Sequence, residues 1–354
     1  MPSGAPLFSF PPPMPVRPLA VVLALVLARC AGPEAAGGAA PPPFRVEAPP
    51  EWTVEGVRVA TFNGEFLFDG EGDEGEATFP WKGDPAKARA HRDAVGAAIR
   101  QLDADVVVVT EAENLRTLNL LLAESLAGMG YMATLVDGRD TFTGQDVGLL
   151  SRVPVESAGR TDERVPVGVG DETYGVSKNL WARMTLAGRP VTLVGVHFLA
   201  RPDDASRRDR REAQAEVVRR LVAAEVAAGR DVIALGDFND HDADVLDRAG
   251  SRPITDVLAT VKAAGPGPED DLVNVLGDVA QADRFTAFWD RDRDGQFDEG
   301  EFSAIDHVLL SPALYRLVRD VRVVHAHDPR AVSDHFPVVV TLAAPGAPTR
   351  PPGR

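Results

Sequence analysis

The chain has 354 residues, 44% hydrophobic and 25% charged, which suits a folded globular protein and excludes a wholly disordered or collagen-like one. It carries 53 Asp and Glu against 37 Lys and Arg, a net charge of -16, which argues against a protein that holds nucleic acid through a broad basic surface, though not against transient contact and cleavage. The single cysteine, Cys30, excludes an intrachain disulfide and a cysteine-built zinc site. Taken in chain order, the first predicted element is an export signal. Leu19–Ala28 is a continuous apolar run, shorter than the ~20 residues that span a bilayer. With Arg17 ahead of it, it fits a signal-peptide core within residues 1–30, and Met14 would give the more usual short leader. Residues 31–54 are expected as a Pro/Ala/Gly-rich linker, 55–343 as one folded domain and 344–354 as a disordered tail.

Within the domain, runs rich in Val and Leu and bounded by Gly, Pro or Asp predict strands. They are Val57–Phe62, Val106–Thr110, Val147–Ser151, Leu180–Leu186, Val191–Phe198, Val232–Gly236, Arg284–Phe288, Ile305–Leu310, Val321–His325 and Val338–Leu342. Apolar residues at three- and four-residue spacing predict helices at Pro85–Leu102, Leu115–Gly128 and Ala205–Ala228. Helices alternate with strands early and strands dominate later, which predicts a mixed α/β domain of two sheets with outer helices.

Polar residues recur at strand ends: Asn63, Glu111, His197, Asp237 with Asn239, Asp306 and Asp334-His335. Side chains there emerge at one rim of a sheet, where sites commonly form. This ordered set resembles the endonuclease/exonuclease/phosphatase superfamily, and Ala60–Asp69 with Asp105–Asn114 looks most like its bacterial extracellular nuclease branch. The resemblance implies a four-layer α/β/β/α sandwich and hydrolysis of a phosphodiester, which needs an activated water and a cation to neutralise developing charge.

The resemblance also implies roles. Glu111 is the principal metal ligand, with Asn63 beside it and Asp334 as a further ligand, for Mg2+ or Mn2+. Asp237 orients or deprotonates the attacking water, and Asn239 hydrogen-bonds the phosphate or the catalytic groups. His335 contacts the scissile phosphate, with its ring held by Asp306. His197 stabilises the phosphate or leaving group, with Asp146 as its orienting acid. Glu65 and Asn179 stand behind these groups. Many bacterial relatives have a lysine just after the His197 position; this chain has Phe198, Leu199 and Ala200, then Arg201. Taken singly, these residues also read as turn, cap and core polar groups.

Two further motifs stand apart. Leu27-Ala28-Arg29-Cys30 resembles a bacterial lipobox, with Arg29 departing from the small residue expected there. Lipidation at Cys30, giving membrane attachment, and ordinary secretion after cleavage near Ala36–Ala40 both remain open. Asp290–Glu301 reads DRDRDGQFDEGE. It sets Asp290, Asp292, Asp294, Asp298 and Glu301 at positions 1, 3, 5, 9 and 12 of an EF-hand loop, with Gly295 at 6 and Gln296 at 7. Ca2+ is expected there, in a loop joining two strands, with a structural role toward Asp306 and His335. The acid-rich stretch Asp69–Glu76 is expected as a mobile rim loop. The leading function is an exported, divalent-metal-dependent nuclease acting as a monomer on DNA or RNA. A phosphatase or a lipid or inositol-phosphate phosphodiesterase is the alternative, and a non-catalytic calcium-binding surface lipoprotein the contrasting one.

Overall fold

A computed structural model describes residues 44–72, 75–168, 170–263, 265 and 267–348; the signal, Cys30 and most of the linker lie outside them. Two six-stranded mixed sheets form the centre. In spatial order the first contains Val318–Val323, Val338–Leu342, Val57–Leu67, Val106–Ala112, Asp146–Ser151 and Met132–Leu135. The second contains Val273–Asn274, Asp306–Leu310, Asp231–Asp237, Arg189–His197, Lys178–Leu186 and Val155–Gly159. Each sheet has one parallel pair at its middle, 57–67 with 106–112 and 189–197 with 231–237.

The unbroken valine run Val106–Val109 follows from the layering. Val106 and Val108 face the core between the sheets, and Val107 and Val109 face helices Pro85–Leu102 and Leu115–Glu124 outside. A strand covered on both faces has no polar side to alternate with. Helix Arg208–Ala227 covers the second sheet in the same way, setting Val217, Val218 and Val222 against Val194, Val232 and Ala234. The result is the expected α/β/β/α sandwich. The sheets approach closely at Gly195, where a Cβ would stand 2.9 Å from Val147 and 3.0 Å from Val108.

Most predicted elements are present. Helix Pro85–Leu102 has the expected bounds, with Asp84 accepting from the Lys87 amide at its start. The second helix ends at Glu124 rather than Gly128. Strand Arg284–Phe288 shrinks to Ala287–Phe288, because Phe285 and Thr286 serve a side-chain cluster instead. Strands Met132–Leu135 and Val155–Gly159 were not foreseen; both are partly exposed sheet edges with weak apolar alternation.

The expected linker also contributes to the domain. Phe44 is buried among Phe285, Phe297, Phe302, His325 and Phe336, and the Glu47 amide donates to the His325 carbonyl. The Asp69–Glu76 stretch is partly tied down. Asp69 is buried and ion-paired with Arg116, which also holds Glu71, and Lys82 Nζ donates to the Gly75 and Ala77 carbonyls.

Candidate active site

Backbone irregularity places the acids. The register between strands 57–67 and 106–112 shifts between Asn63 and Leu67, and the next pair shifts at Glu111. Glu65, Phe66 and Glu111 have φ of 44°, 52° and 61°, conformations that L-residues adopt at a cost. Such bulges re-aim side chains at a sheet rim. Glu111 Oε2 accepts from the Phe66 amide at 2.9 Å and from Gln145 Nε2 at 2.6 Å, so its carboxylate is fixed from both sides. On the second sheet Gly236 has a φ of 135°, and a Cβ there would lie 2.0 Å from the Val196 carbonyl oxygen. Only glycine fits ahead of Asp237.

Asn63 joins the two sheets. Its Nδ2 donates to Glu111 Oε1 at 3.1 Å and to Asp237 Oδ2 at 3.2 Å, while its Oδ1 accepts from the Glu65 amide. The resemblance sets Asn63 beside the metal; here its side chain joins Glu111 to Asp237. Its oxygen is turned to the backbone, and its amide group bridges two carboxylates that would otherwise repel. Asp237 Oδ1 accepts from the Asn239 amide at 2.8 Å. Asn239 itself has a φ of 47°, and its side chain donates to the Phe198 carbonyl. Asn239 therefore orients Asp237 through its backbone.

His335 Nδ1 lies 2.7 Å from Asp306 Oδ2, as expected, and its Nε2 lies 3.9 Å from both Asp237 Oδ2 and Asp334 Oδ1. Thr286 holds Asp306 in turn, donating to Oδ2 at 2.8 Å and accepting from the Ile305 and Asp306 amides. Burial disfavours a charged His335, but Asp306, Asp237 and Asp334 outweigh it and raise its pKa well above the ordinary histidine value. Burial, then Asp306, pushes Asp237 up to about 7 against the pull of His335. Burial, then Asp334 and Glu111, raises Glu65 to about 8.

His197 behaves oppositely. Burial, then Lys178 and His335, lowers its pKa well below the usual value, so it is neutral near pH 7. Its Nε2 lies 3.6 Å from Asp237 Oδ2 and 3.8 Å from Glu111 Oε1. Asp146 does not orient it. Asp146 Oδ1 accepts from the Gly138 amide at 2.8 Å, and His197 Nδ1 is buried without a hydrogen-bond partner among the described residues. His197 is buried at the end of its strand, while Asp146 closes the loop that precedes its own strand. Asn179 likewise serves the fold, bonding Thr161 and the Val176 carbonyl.

Three residues at the site carried no sequence signal: Gln145, Thr286 and Lys178. Gln145 adjoins Asp146, and Thr286 lies in the middle of the predicted strand Arg284–Phe288; only their contacts reveal them. His307, next to Asp306, is a core histidine, bonded to the Asp240 carbonyl and to Asn274.

The donor set fits a divalent cation. Asp237, Asp306 and His335 each bring one ligand atom to within 4.8 Å of the others, and Asp306 Oδ1 is buried without a hydrogen-bond partner among the described residues. Glu65, Glu111 and Asp334 form a second group of hard oxygen donors beside them. The acid loop is a separate cluster. Asp290, Asp292 and Asp294 also converge within 4.8 Å. Glu301 spans the loop, accepting from the Arg291 and Asp298 amides. The loop joins paired segments Ala287–Phe288 and Phe302–Ser303, as the sequence implied.

A search of curated protein sequences finds no match to the chain. Among solved structures it is similar to a 3'-5' exonuclease from Neisseria meningitidis, at 18% identity and a TM-score of 0.54, over 81% of this chain and 100% of that one. It is also similar to an AP endonuclease from Archaeoglobus fulgidus, at 15% identity and a TM-score of 0.52, over 81% and 99% of the two chains. At these identities the likeness is one of fold. The sequence profile of the Endonuclease/Exonuclease/phosphatase family matches residues 60–335, a span that contains every residue placed around Asp237 above. The chain belongs to that family, whose members are metal-dependent hydrolases of phosphoester bonds.

Proposed function

We propose that the protein is an exported phosphodiesterase that cleaves DNA or RNA by in-line attack of water. The observation that carries this is the convergence of Asp237, Asp306 and His335 within 4.8 Å at one rim, with His197 Nε2 3.6 Å from Asp237 Oδ2. Asp237 takes the proton of the attacking water, held for that task by Asn63 and the Asn239 amide. His335, fixed by Asp306, donates Nε2–H to a phosphate oxygen. His197 hydrogen-bonds the phosphate or the departing oxygen. Glu65, Glu111 and Asp334 would hold Mg2+ or Mn2+, which supplies charge neutralisation of the phosphoryl oxygens. Neighbours in fold include proteins described as acting on nucleic acid: a DNA-bound Neisseria 3' phosphatase, with a TM-score of 0.52, and the Archaeoglobus AP endonuclease.

Export rests on the apolar run Leu19–Ala28, and membrane attachment on Cys30. Calcium at Asp290–Glu301 is supported by the register of its acids and by the convergence of three of them. Its role there is structural. Thr286 and the Phe288 amide, one strand back from the loop, hold Asp306 and the Asp334 carbonyl.

Plasmid and oligonucleotide degradation with Mg2+, Mn2+, Ca2+ or EDTA tests the proposal. Degradation with Mg2+ or Mn2+, lost in Asp237→Ala and His335→Ala, is expected. Activity that survives either substitution overturns the assigned site. Turnover confined to a phosphomonoester or to sphingomyelin overturns the substrate.

A further inference from the structure

Asp237 sits between two other site residues at the rim of the second sheet. It pairs with His197 in the parallel register and with Asp306 in the antiparallel one. His197 and Asp237 are the last residues of their strands, so beyond them the ladder no longer fixes the spacing. An ion pair takes over there. Arg211, near the start of helix Arg208–Ala227, and Asp240, just past Asp237 and Asn239, have side chains that are 0% exposed. Arg211 Nε donates to Asp240 Oδ2 at 3.1 Å, Nη1 to the Arg201 carbonyl at 2.7 Å and Nη2 to the Pro202 carbonyl at 2.6 Å. One helical turn on, Gln214 Oε1 accepts from the Leu199 amide at 2.9 Å. The planar guanidinium thus holds the loop that leaves His197 against the loop that leaves Asp237. Asp240 also reaches the third strand, because its carbonyl accepts from His307 Nε2 at 2.9 Å and His307 follows Asp306.

Stability alone does not account for this pair. Desolvating two charges offsets most of their attraction, and a well-packed apolar pair is often as stable. What the charged pair adds is directed bonds to two carbonyls. Each loop also contains a left-handed residue, Arg201 at a φ of 71° and Asn239 at 47°. Such backbone persists where its surroundings hold it. Arg211 grips the carbonyl of Arg201, and Asp240 follows the Asn239 amide that orients Asp237.

We infer that Arg211 and Asp240 are positioning residues, which set the separation of His197, Asp237 and Asp306 through the backbone of residues 199–202 and 239–240. The inference rests on the reading of this rim as the active site, whichever phosphodiester is cleaved there.

The test is kinetics on plasmid DNA and on bis(p-nitrophenyl) phosphate with Mg2+ or Mn2+, at a temperature where a melt shows each variant folded. Arg211→Met should lower kcat roughly 10–100-fold with KM little changed. Arg211→Lys should stay slow, since an ammonium cannot fork to the same three acceptors. Adding Asp240→Leu to Arg211→Met should recover the lost Tm, because no buried charge is then unpaired, and should leave kcat low. Hydrogen exchange should quicken at the Leu199 and Asn239 amides in both Arg211 variants and stay slow along Val232–Leu235. Thr255→Val keeps both charges and removes a 2.6 Å bond to Asp240 Oδ2. It should give a smaller loss of kcat in the same direction, and it carries the kinetic and exchange measurements should the Arg211 variants not fold. Recovery of kcat together with Tm in the double variant, or a wild-type kcat in a folded Arg211→Met, overturns the inference. A wild type that cleaves neither substrate overturns the reading of the rim instead. The exchange measurement then decides the clamp by itself, and unchanged exchange at Leu199 and Asn239 overturns it.

Discussion

The two acid clusters are built from the same residue types and solve opposite problems. At the sheet rim Asp237 and Asp306 are buried, bridged by Asn63, Thr286 and His335, and carried by central strands. In the 290–301 loop Asp292, Asp294 and Asp298 are exposed, and the acids accept from the loop's own amides. Burial raises the cost of charge at the rim and pushes Asp237 toward neutral pH, where a general base works best. The exposed loop presents its carboxylates to water, where a cation can reach them. The proposed chemistry therefore sits on the buried cluster and the proposed calcium on the exposed one.

The contrast can be broken by substitution. Asp237→Asn should lower kcat about 10²–10⁴-fold, the range for a lost general base, without lowering Tm, because it removes a costly buried acid. Steady-state kinetics and a melt on the same sample check both. A large fall in Tm would show that Asp237 is chiefly structural. Asp306→Asn should cost about 10–100-fold in kcat through misplacement of His335, and Thr286→Val should follow in the same direction.

The loop should answer to a different measurement. Saturating Ca2+, at about 100 times its Kd, should stabilise the wild type by about 2.7 kcal/mol and raise its Tm. Asp290→Ala with Glu301→Ala should abolish that rise while reducing kcat far less than Asp237→Asn. A wild type that shows no calcium binding by calorimetry would end the calcium reading.

A smaller effect concerns pH in the metal-free protein. Glu65, Asp237 and His335 all hold their protons more tightly folded than unfolded. Their contribution is complete below the unfolded values and is lost as pH rises through the folded ones. Above about pH 7.5 the histidines with lowered pKa, such as His197, are neutral in both states and drop out. Stability in EDTA should thus fall as pH rises from about 7.5 to 9, and Mg2+ should restore it. Glu65→Gln should flatten the decline; an unchanged decline would remove Glu65 from the cluster.

Much of this was legible in the sequence. The covered strands announce themselves as valine runs, and the acids and histidines mark the ends of those strands. What stayed hidden has physical causes. The edge strands at 132–135 and 155–159 carry little apolar periodicity, because one side of each meets water. The role of Asn63 depends on which way its amide faces, and the composition of a motif is silent on that. Asp146 looked like a partner for His197 because both follow the same strand-end logic, yet a backbone amide at Gly138 claims it. Gln145, Thr286 and Lys178 are ordinary polar residues whose importance lies in contacts between distant segments.

The burial of Phe44 sets a leash length. Once that ring is locked into the domain, only residues 31–43 separate Cys30 from the fold. Thirteen residues span at most about 45 Å. With a lipid on Cys30, as proposed, the domain could stand no further than that from the membrane. Its substrates would then be those that come to the cell surface rather than those dispersed in the medium.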